Sequence, residues 1–338
     1  MLTKIHTFTL AAMISISGYQ LCRNEFFKSA VDESCRCYDK GPKLVYTGWR
    51  EKGIIIYLEK TCGDFSCAYI YLRINPSKLL NDRRPYALYS PGRENIVMLC
   101  HEIQNVLDDL PITLDFDSLG LSRMDLCKDC LVDSPEIYIQ LLNKGIHHSK
   151  WKEIRYEDYH DQYSFRRANK HTQITVYDKT FQMFERGMIS EWPEMQKILR
   201  IEVALDSKEI LNQHRKYVLS AENWTDVLLN IAEFGTDILT ATISRLIPYG
   251  NYYSMEAARE VIENSGYYQN KKESLINFLK MINRSSEINL QQIKYQTNGK
   301  NRLIDLATLG INPVTIRARN HIDFLPSIHT LINDSRTF

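Results

Sequence analysis

The chain has almost no net charge and no long hydrophobic run. Its 338 residues carry 42 lysines and arginines against 41 aspartates and glutamates. Global charge therefore gives no sign of nucleic-acid binding, and any such surface must come from local clustering. No segment reaches the roughly 18 consecutive apolar residues of a membrane span. A Gly-x-x-x-x-Gly-Lys loop, short-period repeats and low-complexity segments are also missing, so the sequence gives no sign of ATP binding by such a loop or of a repeat architecture.

Cysteine is present, with 8 residues in the chain. Cys35 and Cys37, and Cys127 and Cys130, are close enough in sequence to share a zinc ion, but no second pair with histidines lies at the spacing of a zinc finger. A chain of this length does not need disulfides to stabilise its fold. We expect reduced thiols, with zinc binding and a secreted, disulfide-bonded protein as the alternatives.

The amino-terminal segment, residues 1–18, resembles a secretory signal only weakly. Lys4 precedes a mildly apolar run, but His6 and several hydroxyl residues interrupt that run and no Ala-x-Ala site follows. Residues 6–10 alternate as a strand does. We therefore predict a first strand, and a cytoplasmic protein without membrane association.

Residues 1–206 carry mostly strand signals. Helices are expected at 92–107, from apolar spacing, and at 134–144, where Ser134 is a candidate N-cap. The other segments are rich in β-branched and aromatic residues, and we predict strands at 43–46, 53–58, 67–74, 121–127, 172–177 and 199–205. The length favours two domains. The first is predicted to be an α+β domain, an antiparallel sheet with helices on one face.

Residues 207–338 have helical patterns and form the second predicted domain, which we expect to be all-α. The predicted helices are 222–247, 254–264, 271–281, 289–296, 300–309 and 313–320. The last two, joined at Gly310, are helix-turn-helix-like, and the second is basic. Arg302, Arg317 and Arg319 are therefore candidate DNA contacts, the alternative being an ordinary helical hairpin.

Three predicted strands carry the candidate chemistry. The segment 173–179 contains Tyr177 and, two residues later, Lys179; the segments 121–126 and 199–205 each place an arginine two residues before a carboxylate. Residues two apart share one face of a strand. If these strands are neighbours, one sheet face collects the tyrosine, the lysine, two arginines and two carboxylates.

Tyr177 is the candidate nucleophile. A phenol has a pKa near ~10 and attacks slowly at neutral pH unless a cation or a metal favours the phenolate. Lys179 is placed to do this or to balance charge on a phosphate. The alternative is a half-buried strand tyrosine that only packs.

Asp125 and Glu202 are the candidate metal ligands. Carboxylate oxygens suit Mg²⁺ or Mn²⁺, which polarise a phosphoryl oxygen and stabilise the leaving alkoxide. Arg123 and Arg200 would then clamp the phosphate or orient the carboxylates. No His-x-His with a hydrophobic centre is present, and His171 is the possible additional ligand. Each Arg-x-acid pair can also be a structural ion pair.

The segment before the tyrosine strand is basic and leads to the predicted site. Arg166, Arg167, Lys170 and His171 are expected in a loop or hairpin that tracks DNA phosphates. The alternative is a solvated charged turn.

Taken in order, these blocks resemble the replication initiators of filamentous phages, the gene II type, and related rolling-circle plasmid initiators. The matching blocks are 72–80, 122–125, 176–182, 199–202 and 302–313. The likeness runs from about residue 5 to about residue 316, and its specificity lies in the order and spacing of the blocks. The cysteine-rich first third and the weak overall charge depart from the family pattern.

The resemblance implies a nicking enzyme that starts rolling-circle replication. Tyr177 would attack one strand of a duplex origin, stay joined to the 5′ end and leave a 3′ hydroxyl for a polymerase. Asp125 and Glu202 would be metal-site carboxylates, and Lys179 a phosphate or phenolate stabiliser. Expected partners are duplex and single-stranded DNA and a host helicase and polymerase. The main alternative is a non-catalytic DNA-binding replication or regulatory protein. A tyrosine recombinase fits less well because Tyr177 is mid-chain on a predicted strand.

Overall fold

The protein is a mixed α+β chain. The computed structural model describes residues 3–30, 35–40, 43–61, 67–82, 84, 87–145, 150–154, 163–190, 197–217, 220–284, 293 and 298–334. It divides into two compact units, Met1–Cys127 with Ala204–Gly235, and Lys128–Val203 with Thr236–Phe338. Two strands, Gly120–Val132 and Lys197–Asp206, each contribute residues to both units. The units therefore differ from the predicted domains, residues 1–206 and residues 207–338.

The first unit is built on a sheet. Its strands are Lys4–Ile14 (β1), Cys37–Lys40 (β2), Lys43–Tyr46 (β3), Ile54–Lys60 (β4), Ala68–Ile74 (β5) and the first part of Gly120–Val132 (β6). Their order is β2-β3-β4-β5-β1-β6, and every pair in that order is antiparallel. The helices are Ile16–Ser29 (α1), Pro76–Leu79 (α2), Arg93–Asp108 (α3), Ser207–Lys216 (α6) and Trp224–Glu233 (α7).

Alternation of side chains determines which face of this sheet is buried. In β4 and β5 every second residue is apolar and buried, from Ile54 to Leu58 and from Ala68 to Ile74. The start of β1 is held by the Thr3 amide, which donates to the carbonyl of Ala232 at 2.9 Å. The predicted first strand at 6–10 is therefore confirmed as part of β1.

The second unit combines five neighbouring main strands, a two-stranded sheet and helices. Its strands are the end of β6, Lys152–Glu153 (β7), Ser164–Ala168 (β8), Thr172–Asp178 (β9), most of Lys197–Asp206 (β10), Tyr252–Tyr253 (β11) and Phe324–Leu325 (β12). The order of the main strands is β6-β10-β9-β8-β7. The helices are Pro135–Gly145 (α4), Lys179–Glu185 (α5), Gly235–Ile243 (α8), Met255–Glu263 (α9), Gln269–Arg284 (α10), Gly299–Thr308 (α11) and Ile328–Asn333 (α12).

The second half of the predicted helix-turn-helix is wrong. Helix α11 ends at Thr308 and Gly310 turns the chain with φ +71°, as expected, but residues 313–317 are not helical. The amide of Ile316 instead donates to the carbonyl of Tyr253 at 2.8 Å. A long-range backbone bond thus replaces the local helix, and Arg317 and Arg319 lie exposed beside a single 3-10 turn.

Two further helix predictions need comment. The single helix expected at 222–247 is split into α7 and α8 at Gly235. A Cβ on Gly235 would lie 2.4 Å from that of Thr3, so the close approach of this segment requires glycine there. The helix expected at 289–296 lies, except for Ile293, outside the described residues. Among the described residues, no helix is long and apolar enough to cross a membrane.

Candidate active site around Tyr177

Tyr177 and Glu202 meet on neighbouring strands of the second unit. The Tyr177 hydroxyl donates to Glu202 Oε1 at 2.8 Å. Tyr177 is 7% exposed, and Val176 beside it, on the other face, is fully buried. The two side chains therefore lie on the same face of the sheet, as predicted, and the phenol is hydrogen-bonded directly to the carboxylate.

Lys179 is not on the tyrosine strand as expected, because β9 ends at Asp178. The Asp178 side chain accepts from the amide of Phe181 at 2.8 Å and caps α5, so Lys179 is the first residue of that helix. Its Nζ donates to Gln182 Oε1 at 2.9 Å. Burial lowers the pKa of Lys179 to about 8, nearby Arg200 acts in the same direction, and Glu202 and Asp129 oppose it. The lysine therefore changes charge near neutral pH.

Arg200 does not have the predicted role of a phosphate clamp. Its side chain is 1% exposed, and Nε and one terminal nitrogen donate to the two carboxylate oxygens of Asp129 at 2.6 and 2.7 Å. A bidentate pair of this kind is rigid and directional. Arg200 thus fixes the strand that carries Glu202, two residues further on.

Asp129 is the residue that sequence reasoning missed. It lies four residues after Asp125 on β6, so the period of two places both on one face of that strand. That spacing was the available signal. The burial of Asp129, 6% exposed, and its pairing with Arg200 depend on the order of the strands, which the spacing alone does not give.

Arg123 and Asp125 belong to the first unit. Asp125 is 3% exposed, and Arg123 Nε donates to its Oδ1 at 2.9 Å. The Thr7 hydroxyl donates to Oδ2, and Arg73 lies 3.8 Å from the same oxygen. Both oxygens of this carboxylate are therefore engaged with protein groups.

The residues around these carboxylates do not fit a metal site as they stand. In the part of the chain that the structure describes, no group of three or more His, Cys, Asp or Glu side chains is arranged to hold a metal ion. Asp125 is neutralised by its neighbours and Glu202 accepts from Tyr177. A role for Mg²⁺ or Mn²⁺ therefore stays a prediction.

The basic segment is a strand and turn rather than a loop. Arg166 and Arg167 lie on β8, which pairs antiparallel with β9, and Asn169 closes the turn by accepting from two backbone amides at 2.8 Å. Arg167 is 4% exposed, with its guanidinium 4.8 Å from the centre of the Phe165 ring, so we remove it from the predicted DNA surface.

The remaining basic positions are accessible. Lys170 is exposed at the tip of the turn, and Arg166 and His171 are half-buried. Arg166 also lines a narrow pocket that reaches Tyr177; its lining residues are Tyr163, Ser164, Arg166, Tyr177, Asp178, Phe181, Gln182 and Glu185. Ser164 pairs with Tyr177 in the β8–β9 hairpin, so Arg166 lies near the phenol, whereas Lys170 and His171 lie at the turn, at the other end of the hairpin.

No protein-family model and no curated protein matches this chain. The likeness to rolling-circle initiators therefore rests on the sequence blocks alone.

Proposed function

We propose that the protein is a DNA-nicking and joining enzyme that initiates rolling-circle replication, with Tyr177 as the nucleophile. The observation that carries the proposal is the 2.8 Å hydrogen bond from the Tyr177 hydroxyl to Glu202. A carboxylate bonded to a phenol can take its proton as the oxygen attacks phosphorus. We therefore assign Glu202 as the general base, in place of its expected role as a metal ligand.

The proposed reaction exchanges one phosphate ester for another. The Tyr177 oxygen bonds to phosphorus, its proton passes to Glu202, and the bond from phosphorus to the 3′ oxygen breaks. The 3′ oxygen takes a proton from solvent, and the 5′ phosphate stays on the tyrosine. The reverse attack by a 3′ hydroxyl rejoins the strand. No nucleotide is consumed, because the phosphotyrosine conserves the bond energy.

Lys179 would supply positive charge to the phosphate. In its protonated form, the buried ammonium stabilises the charge that develops on the non-bridging oxygens. The Arg200–Asp129 pair supports the site without contacting DNA, since both side chains are buried and engaged with each other. Arg166, Lys170 and His171 would follow the strand towards the tyrosine. Duplex and single-stranded DNA, a host helicase and a polymerase remain the expected partners.

A denaturing-gel assay tests the proposal. Supercoiled plasmids and single strands from the host element are incubated with the full chain, with Mg²⁺, with Mn²⁺ and with chelator, and covalent adducts are trapped. We expect an adduct with wild type and none with Tyr177→Phe. Glu202→Gln should slow adduct formation by about 10²- to 10⁴-fold, the usual contribution of a general base.

Tyr163→Phe is the matched control, because Tyr163 lines the same pocket and stacks on Phe181 with the ring centres 3.6 Å apart. It should form the adduct as wild type does. An adduct that persists in Tyr177→Phe would assign the attack to another tyrosine. If wild type forms the adduct with Mg²⁺ or Mn²⁺ but not with chelator, the predicted metal would be supported.

One observation favours the second candidate function, a DNA-binding protein without catalysis. Tyr177 is almost fully buried and its hydroxyl is satisfied, as is usual for a structural tyrosine. That alternative predicts that wild type binds origin DNA, forms no adduct with any metal, and retains its affinity in Tyr177→Phe.

A further inference from the structure

An open groove lies between α10 and α11 of the second unit, away from Tyr177 along the chain. Its volume is about 470 Å³, and its lining residues are Tyr268, Asn270, Lys271, Ser274, Asn298, Asn301, Arg302, Ile304 and Asp305. This volume lies within the range of small-ligand sites, about 300–1,000 Å³. Apart from Ile304, every lining side chain has a polar group, so the groove suits a polar ligand.

The side chains that line the groove carry a net positive charge. Lys271 Nζ lies 2.7 Å from Asp305 Oδ1 and neutralises the one acidic side chain among the described lining residues. Arg302 is left as an uncompensated cation. The groove therefore favours an anionic ligand.

Arg302 is oriented for such a ligand. Its Nε donates to Ser274 Oγ at 3.1 Å, and its guanidinium carbon lies 5.5 Å from the centre of the Phe278 ring. Neither terminal nitrogen bonds to a described residue. Two adjacent N–H groups held in one plane match the oxygens of a phosphate.

The other side chains suit an unpaired base. Tyr268 is 72% exposed, which is unusual for an aromatic ring and leaves its face open for stacking. Asn270, Asn298 and Asn301 are exposed, and their amides make no hydrogen bond to another described residue. Each amide can donate and accept on a base edge.

From this combination, we propose that the groove between α10 and α11 binds a nucleotide of single-stranded DNA, with the base on Tyr268, its edge on the asparagines and a phosphate on Arg302. A paired base presents no free face to a tyrosine, so the stacking contact selects the unpaired strand. The choice of DNA rests on the proposed function, in which the nicked strand is unwound from its duplex by the expected helicase partner.

Fluorescence anisotropy with a labelled 20-nucleotide single strand, its duplex and the RNA of the same sequence tests this assignment. All measurements use the full chain carrying Tyr177→Phe, so that binding is read without cleavage. Tyr268→Ala should weaken single-strand binding by about tenfold and duplex binding by less than twofold, whereas Tyr268→Phe should retain the affinity. Arg302→Gln should reduce the salt dependence by about 0.7 in the slope of log K against log salt. Lys280→Gln removes a charge at an exposed position on α10 outside the groove and is the charge control. It should leave the slope as steep as in the Tyr177→Phe parent.

Two results would overturn the proposal. One is single-strand affinity in Tyr268→Ala within twofold of that of the Tyr177→Phe parent, with unchanged melting temperature. The other is equal loss for duplex and single strand, or a tenfold preference for RNA. Failure of this proposal can be distinguished from failure of the proposed nicking activity. If no adduct forms but single-strand binding depends on Tyr268, the nicking activity is refuted and the groove proposal stands.

Discussion

At the scale of single residues, the site depends on charged side chains that are buried or half-buried. Glu202 accepts from Tyr177, and Lys179 lies 6% exposed close to the same charges. Burial disfavours an ammonium ion, and this lowers the pKa of Lys179. Such groups are enriched at functional sites, which is why Lys179 is the most informative residue to titrate.

The pH dependence of nicking should report the charge of Lys179. Its pKa of about 8 means that the side chain is an ammonium below pH 8 and neutral above it. If the ammonium stabilises the phosphate, the rate of adduct formation should fall about tenfold per pH unit well above pH 8. Lys179→Arg keeps its charge throughout, so its rate should be flat from pH 7 to 9.5. Single-turnover rates at each pH measure this.

Thermal melting of Lys179→Arg over the same pH range provides the control for folding. A wild-type rate that rises through pH 8 would contradict the assignment. It would indicate that the neutral amine accepts a proton in the reaction.

At the scale of elements, strands with alternating side chains could be predicted from the sequence. Segments whose backbone bonds to a distant part of the chain could not. The sequence places strands at 172–177 and 199–205, and the structure has them within β9 and β10. Their adjacency brings Tyr177 to Glu202. The helix expected at 313–320 is absent because Ile316 bonds to Tyr253, more than 60 residues earlier. No local pattern reports such a partner.

Lys179 shows the same limit at short range. Its position two residues after Tyr177 indicated a strand, but the capping bond from Asp178 begins a helix there. Asp125 and Glu202 were selected for their chemical type. Their hydrogen-bond partners, which decide their roles, depend on packing that the sequence pattern does not encode.

A glycine series in the second unit separates backbone strain from crowding. Gly250 has φ +112° and a Cβ there would lie 2.4 Å from the carbonyl carbon of Ile311; Gly310 has φ +71° with open space around it, and Gly266 has neither constraint. We expect Gly250→Ala to cost more than about 3 kcal/mol, Gly310→Ala about 1–2 kcal/mol, and Gly266→Ala less than about 0.5 kcal/mol.

Urea unfolding of the three variants, followed by circular dichroism, gives these free energies. Equal losses for Gly250→Ala and Gly310→Ala would mean that the contact with Ile311 relaxes without cost. The φ angle alone would then account for both values.

At the scale of the whole molecule, the described cysteines are separate thiols. None of the seven described cysteines is in a disulfide, and Cys22, Cys127 and Cys130 are buried. Burial raises the pKa of Cys22 to about 11 and that of Cys130 to about 12. Because the thiolate is the reactive form, buried thiols of high pKa react slowly with alkylating agents.

Timed alkylation with peptide mapping tests this for the native chain. Cys22, Cys127 and Cys130 should be modified last, well after the half-buried Cys35 and Cys67, and all 8 cysteines should react once the chain is unfolded without reductant. A disulfide-linked peptide in the unreduced digest would instead favour the secreted, oxidised protein that the cysteine count leaves open.

The buried pair of Arg200 and Asp129 also has an evolutionary consequence. Removing one partner leaves the other charge buried without compensation, at a cost of about 3–5 kcal/mol, whereas replacing both by apolar residues can be nearly neutral. Single substitutions at either position should therefore be purged, and paired ones tolerated. Among homologous sequences, positions 129 and 200 should covary, changing together or not at all.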